Sequence, residues 1–150
     1  MISTSNLNEA RKEIQQLKKE NKTVIVQAQS NEFNRKILEN KEVDIITDLE
    51  LHKRKDKLKQ RDSGLNEILC KLASKNNIKI AINLDKIKQL DKKEKAETLA
   101  RIKQNISLCK RTNAKIVFLD NIKKQDVLSF FLTLKGNTKQ ATEAMTSSRT

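Results

Sequence analysis

The stretch LNEILCKLASKNNIKIAINL, residues 65–84, reads as a helix running directly into a strand. Leu65, Ile68, Leu69 and Leu72 fall at i, i+3, i+4 and i+7, the spacing that places side chains on one helical face. Asp62 or Ser63 can cap this helix by accepting from the N–H groups that its first turn leaves unpaired. The run IKIAINL, Ile78–Leu84, is then apolar except for Lys79 and Asn83. Near-continuous apolarity is the mark of a strand covered on both faces, and such strands belong to parallel sheets whose crossovers are helices.

The same alternation continues outward in both directions. Thr23–Gln27 (TVIVQ), Val43–Thr47 (VDIIT) and Lys115–Leu119 (KIVFL) are further β-rich runs. Leu7, Ala10, Ile14 and Leu17 form an apolar helical stripe that ends near the polar Glu20–Asn21–Lys22. Asp91 and Glu94 have capping-box spacing ahead of a long helix marked by Leu99, Ile102, Ile106 and Cys109. Val127, Phe130, Phe131 and Leu134 make a last stripe, with Gly136 expected just past its end in a left-handed conformation. Strand–helix alternation of this kind predicts an α/β domain with a mostly parallel sheet and right-handed crossovers. The domain is expected over residues 1–137, and residues 138–150 are expected to form a polar tail, partly helical or flexible. The absence of Pro and the presence of only two Gly argue against tight hairpins.

A chain of 150 residues suits one domain, and Leu, Ile, Val and Phe together exceed a quarter of it, enough for a core. The hydrophobic fraction of 36%, with no Trp or Tyr, is lean, which fits a protein that shares an apolar face with a partner. The first residues lack the charged and apolar regions of an export signal, and no long apolar run is present, so no membrane span is expected. A cytoplasmic protein follows as the expectation. Cys70 and Cys109 lie on helical apolar stripes and are expected as buried free thiols of a reducing compartment.

Most catalytic signatures are missing. With glycine only at 64 and 136, no phosphate-cradling glycine loop can be written. His52 has no second His or Cys at metal-ligand spacing, so metal is expected to play no part in the protein itself. Asp44, Asp48, Asp62, Asp85 and Asp120 fall at or near strand ends, where α/β proteins place sites, and caps and turns account for them as well.

What remains is patterned positive charge. The formal net charge is +13. Lys53, Arg54, Lys55, Lys57, Lys59 and Arg61 crowd six cations into nine positions against Asp56 alone. A phosphate backbone is the natural ligand, since several clustered cations release counterions together where single ones achieve little; a solvated basic loop is the plainer alternative. Helix 92–112 adds a second basic surface with Lys92, Lys93, Lys95, Arg101, Lys103, Lys110 and Arg111. The four Phe sit in apolar stripes, so base stacking is disfavoured and recognition of RNA shape and backbone preferred.

The segment RDSGLNEILCKLASKNNIKIAINL, Arg61–Leu84, resembles the hallmark of the ribonuclease P protein component 3 family. The resemblance continues in KAETLARIKQNISLCKRTNAKIVFL, Lys95–Leu119, and upstream in Asn34-Arg35 followed by Val43-Asp44-Ile45-Ile46. Together these segments extend the likeness over about residues 6–145. Members of that family start with further strand–helix units, so the resemblance implies a shortened member whose (β/α) barrel-like fold stays incomplete. Ala28-Gln29 replaces the family's Gly-Gly pair, and the loop before Arg61 is longer and more basic. Strand edges left open by the missing units are expected to be covered by a partner or by RNA.

The resemblance implies a non-catalytic, RNA-binding protein subunit of ribonuclease P that supports the catalytic RNA in 5′ maturation of precursor tRNA. Magnesium belongs to that RNA, no cofactor is held by the protein, and the implied partners are ribonuclease P RNA, precursor tRNA indirectly, and ribonuclease P protein component 2. By residue-wise match, Arg35, Arg61 and Arg101 are the implied RNA contacts, with Lys59, Lys103, Lys110 and Arg111 as basic neighbours, while Asp62 and Asn66 brace the turn. Three other readings compete: a metal-dependent phosphoesterase of the related polymerase and histidinol phosphatase fold, a basic protein–protein scaffold, and a general DNA-binding module.

Overall fold

A computed structural model of the protein describes residues 1–51, 55–56 and 58–147. In chain order the elements are α1 (Leu7–Lys19), β1 (Ile25–Gln27), α2 (Asn31–Glu39), β2 (Ile45–Thr47), a 3-10 turn (Leu49–Leu51), α3 (Glu67–Lys75), β3 (Lys79–Ile82), α4 (Leu84–Lys88), α5 (Lys92–Thr112), β4 (Ile116–Phe118), α6 (Lys124–Thr133) and α7 (Thr138–Ser147). The four strands pair in sequence order, all parallel, with Ile46 opposite both Val26 and Ile80, and Ala81 opposite Val117. The sheet does not close on itself. This is the expected α/β architecture, an incomplete barrel-like arrangement with helices in each crossover.

All four predicted strands are present, each shorter than its apolar run. The run Ile78–Leu84 loses its end because Asn83 accepts the Lys86 N–H at 3.0 Å and so starts α4 at Leu84. The side-chain cap of α3 is Asn66, which accepts from the Leu69 N–H at 2.9 Å, and not Asp62 or Ser63. Asp62 is spent on the Gly64 N–H at 3.1 Å, in a turn where Gly64 takes φ +79, and Ser63 is buried. Asp91 caps α5 as expected, accepting from the Glu94 N–H at 2.8 Å.

Asparagine does most of the chain-reversing work that glycine does elsewhere. Asn21, Asn77 and Asn113 take left-handed φ of 53°, 56° and 56° just past α1, α3 and α5. At the end of α6 the left-handed residue is Lys135, φ 68°, and not Gly136. The Lys135 N–H reaches Leu132 O at 3.2 Å and the Gly136 N–H reaches Phe131 O at 2.7 Å, the paired closure of a Schellman turn. Gly136 is required for room: a Cβ there would lie 2.9 Å from Phe131 Cδ1 and 3.1 Å from Ile106 Cγ2.

The core runs along both faces of the sheet. Ile14, Ile37, Leu38, Ile46, Ile80, Ile102, Ile106 and Phe131 are fully buried within it. Phe118, Phe130 and Phe131 meet edge to face at 5.4–6.3 Å, which confirms that these rings serve packing. Cys70 and Cys109 are buried free thiols, as expected. Within the segment expected as a polar, partly helical tail, Thr138–Ser147 form α7, which packs on α6 and β4, buries Ala141 and Ala144, and donates from Gln140 Nε2 to Ile106 O at 3.0 Å. The outer edge of β1 is likewise occupied by the chain itself, since the Ile2 N–H donates to Ile25 O and the Gln27 N–H to Ile2 O, both at 2.8 Å.

Candidate nucleic-acid interface

The segment entering α3 is tied to α5 through one carboxylate. Asp56 Oδ1 accepts the Asp62 N–H at 2.9 Å, Arg61 Nη1 donates to Oδ2 at 3.4 Å, and Arg101 Nη2 donates to Oδ1 at 3.4 Å. The Asp62 N–H most of all, with Arg101 and Arg61 beside it, holds the Asp56 carboxyl below its usual pKa. On the inner side Arg101 Nη1 donates to Glu50 O at 3.4 Å, and Asn105 Nδ2 to Ser63 O at 3.3 Å. A Cβ on Gly64 would stand 2.6 Å from Leu49 O, so this turn needs glycine both for its φ and for close backbone approach.

This arrangement sorts the cations read from the sequence. Arg101 is 8% exposed and donates to Glu50 and Asp56, so its guanidinium anchors the loop from within. Its position on the buried stripe with Ile102 and Asn105 is what turns it inward. Lys55, Lys59, Arg61, Lys103, Lys110 and Arg111 face solvent. Lys53, Arg54, Lys57 and His52 lie outside the described residues. The Lys71 hydrogen bond, then the charge of Lys71 and last that of Arg111, hold the Glu67 carboxyl at the start of α3 below its usual pKa.

Arg35 and Arg61, far apart in sequence, come to one cleft of about 500 Å³ between α2, the loop, the start of α3 and the middle of α5. Arg35 Nε is shared with Glu39 at 3.1 Å one turn along α2, and its guanidinium remains largely exposed. Leu65 and Leu69 line the cleft, with Gln60 and Gln104 among its polar walls. The sequence reading missed Gln104 altogether. Its one available signal is its place one helical turn after Arg101, on the side of α5 that turns toward the loop.

The carboxylates at strand ends are structural. Asp44 accepts the Val24 N–H at 2.8 Å and pairs with Lys18 at 2.8 Å, Asp120 accepts the Leu84 N–H, and Asp85 pairs with Lys88 at 2.9 Å. Asp48, φ 64°, is buried and held by Lys86, by Gln27 Nε2 at 2.8 Å and by the Thr47 hydroxyl at 3.1 Å. Beside it, burial pushes Glu50 up to about 7, with the Asp48 charge adding to the effect. Among the described residues no group of three or more His, Cys, Asp or Glu side chains could hold a metal ion. Nor is any helix among them long and apolar enough to cross a membrane.

No family model matches the chain. Over 116 residues, 77% of its length, it is 27% identical to Ribonuclease P protein component 3 of Methanococcus vannielii and 28% identical to the protein of that name from Methanococcus maripaludis. The counterpart from Methanocaldococcus jannaschii is 25% identical over the same length. Each match covers 47% of the relative, so the chain spans about half the length of the curated relatives it matches. Its fold is that of a chain in a cryo-EM structure of archaeal Ribonuclease P with mature tRNA, at a TM-score of 0.77 and 23% identity, covering 98% of this chain and 63% of that one. The resemblance carried by residues 61–119 is thereby borne out.

Proposed function

We propose that this chain is a non-catalytic, RNA-binding subunit of ribonuclease P that supports the catalytic RNA in 5′ maturation of precursor tRNA. The observation that carries the reading is the coincidence of two facts on one body: similarity to component 3 proteins over 116 residues, and a solvent-facing set of cations around the Asp56-anchored loop and along α5. Lys55, Lys59, Arg35 and Arg61 neutralise phosphates on the loop side, and Lys103, Lys110 and Arg111 do so along α5. Contacts of this kind lower repulsion between RNA segments and fix their arrangement without reading sequence. Lys53, Arg54 and Lys57, of the same basic run in the sequence, are proposed as RNA contacts on their residue type alone. Ribonuclease P protein component 2 is the protein partner in this reading, precursor tRNA is met through the RNA, magnesium resides on the RNA, and the site of action is the cytoplasm.

The test is reconstitution of the chain with a ribonuclease P RNA and component 2 at limiting magnesium. Precursor tRNA cleavage is expected to rise on adding the chain, and binding to fall steeply with salt in proportion to the phosphates neutralised. No rise in cleavage, together with a flat dependence of log K on log salt, defeats the proposal. Metal-dependent phosphoester cleavage by the chain without RNA defeats its non-catalytic part.

A further inference from the structure

The cleft of about 500 Å³ at the meeting of α2, the Asp56-anchored loop and α5 is large enough for one nucleotide, and its groups are arranged by depth. Arg35 and Arg61 stand at 64% and 49% side-chain exposure, so they belong to the mouth. Inside, Leu65 and Leu69 are buried apolar surface. Gln104 also lines the cleft, and its Oε1 is shielded from solvent with no hydrogen-bond partner. A buried acceptor left unpaired is costly, and a ligand that brings an N–H donor recovers that cost on binding.

The charge balance narrows the ligand further. Glu32 and Asp62 line the same cleft, so two carboxylates offset the two guanidiniums and a bare phosphate gains little there. A ligand with an anion at one end and N–H donors at the other satisfies all of these groups together. We infer that the cleft takes a single unpaired nucleotide of an RNA strand, its phosphate on Arg35 and Arg61 and the amino group of its base on Gln104 Oε1. A strand is preferred over a free nucleotide because Lys55 and Lys59, exposed on the adjoining loop, are placed to take the flanking phosphates. The inference rests on the RNA-binding reading above and adds base selection to its backbone contacts.

Cytidylate and uridylate decamers separate the idea cleanly, because the two bases differ where one carries an exocyclic amino donor and the other a carbonyl acceptor. Fluorescence anisotropy on the full chain is expected to show the cytidylate decamer binding about tenfold more tightly, the worth of one well-made hydrogen bond to a buried group. Gln104→Leu, close in volume, is expected to erase that preference while leaving uridylate binding unchanged. Arg35→Ala, on the exposed side of α2, is expected to weaken both decamers alike and so serves as a second, fold-neutral variant. Equal binding of the two decamers by the unaltered chain, or an undiminished preference in Gln104→Leu, overturns the inference. So does competition by cytidine monophosphate at the decamer's own concentration, which would assign the cleft to free nucleotides. Precursor tRNA cleavage that still rises in reconstitution while the decamer preference is absent sinks this inference alone; failure of both assays sinks the RNA-binding reading with it.

Discussion

Arg101 on α5 and Asp56 in the basic loop are joined across 45 residues by a guanidinium–carboxylate contact of 3.4 Å. The contact has two sides of unequal exposure, since the Arg101 side chain is 9% exposed and that of Asp56 is 30% exposed. The loop is therefore tethered from the protein interior, and Lys55, Lys59 and Arg61 are presented from an anchored base.

Asp56→Asn is expected to loosen that anchor without unfolding the domain. The amides of Asp62 and Gly64 should exchange with solvent faster, because the first loses its carboxylate acceptor and the second follows it in the same turn. Hydrogen exchange checks this, and unchanged protection at both amides would refute the tether. The anchor should also survive mild acid. A carboxyl whose folded pKa is depressed contributes stability above its unfolded value, and that contribution fades only as pH falls through the lower folded value.

Glu50 has the opposite sign. Its folded pKa of about 7 against an ordinary 4.5 means that the folded state prefers the neutral acid. Stability from this group is fully present below 4.5 and is lost as pH rises through about 7, to the extent of about 3 kcal/mol. Glu50→Gln keeps the shape and removes the charge, so it should flatten the stability profile between pH 5 and 8 and be the more stable protein at the upper end. Denaturant titrations at several pH values measure it; parallel profiles for the two proteins would contradict the assignment.

The end of α6 makes a paired prediction about two adjacent residues. Gly136→Ala forces a methyl to 2.9 Å from Phe131 Cδ1 and 3.0 Å from its carbonyl oxygen, and should cost about 1–3 kcal/mol. Lys135→Gly places glycine where φ is actually positive and should stabilise by about 1 kcal/mol. Thermal unfolding compares the two variants. Equal shifts of the same sign would mean that this helix end is built differently.

Much of the architecture was legible along the chain. Apolar periodicities located α1, α3, α5 and α6, and continuous β-branched runs located all four strands, because both signals are local consequences of which faces are covered. The cleft was not legible. Arg35 and Arg61 are singled out separately in the sequence, but nothing in a one-dimensional pattern brings residues 35, 61 and 104 to one cleft.

Three points needed the fold itself. A run of arginine and lysine marks a basic surface, yet the same residue type at 101 turns inward, since helix phase puts it on the stripe with Ile102 and Asn105. A polar, partly helical C-terminal segment is legible in the chain, while only the fold shows that Ala141 and Ala144 are buried where α7 lies against α6 and β4. A lone glycine at a helix end reads as the left-handed residue, yet crowding by Phe131 and Ile106 is what selects it. The sequence by itself determined the strand–helix order and the excess of positive charge, because both depend on neighbours in the chain. The tertiary structure alone decided which cations face solvent and which polar groups share a cleft, because those outcomes depend on distances between residues that covalent order leaves unrelated.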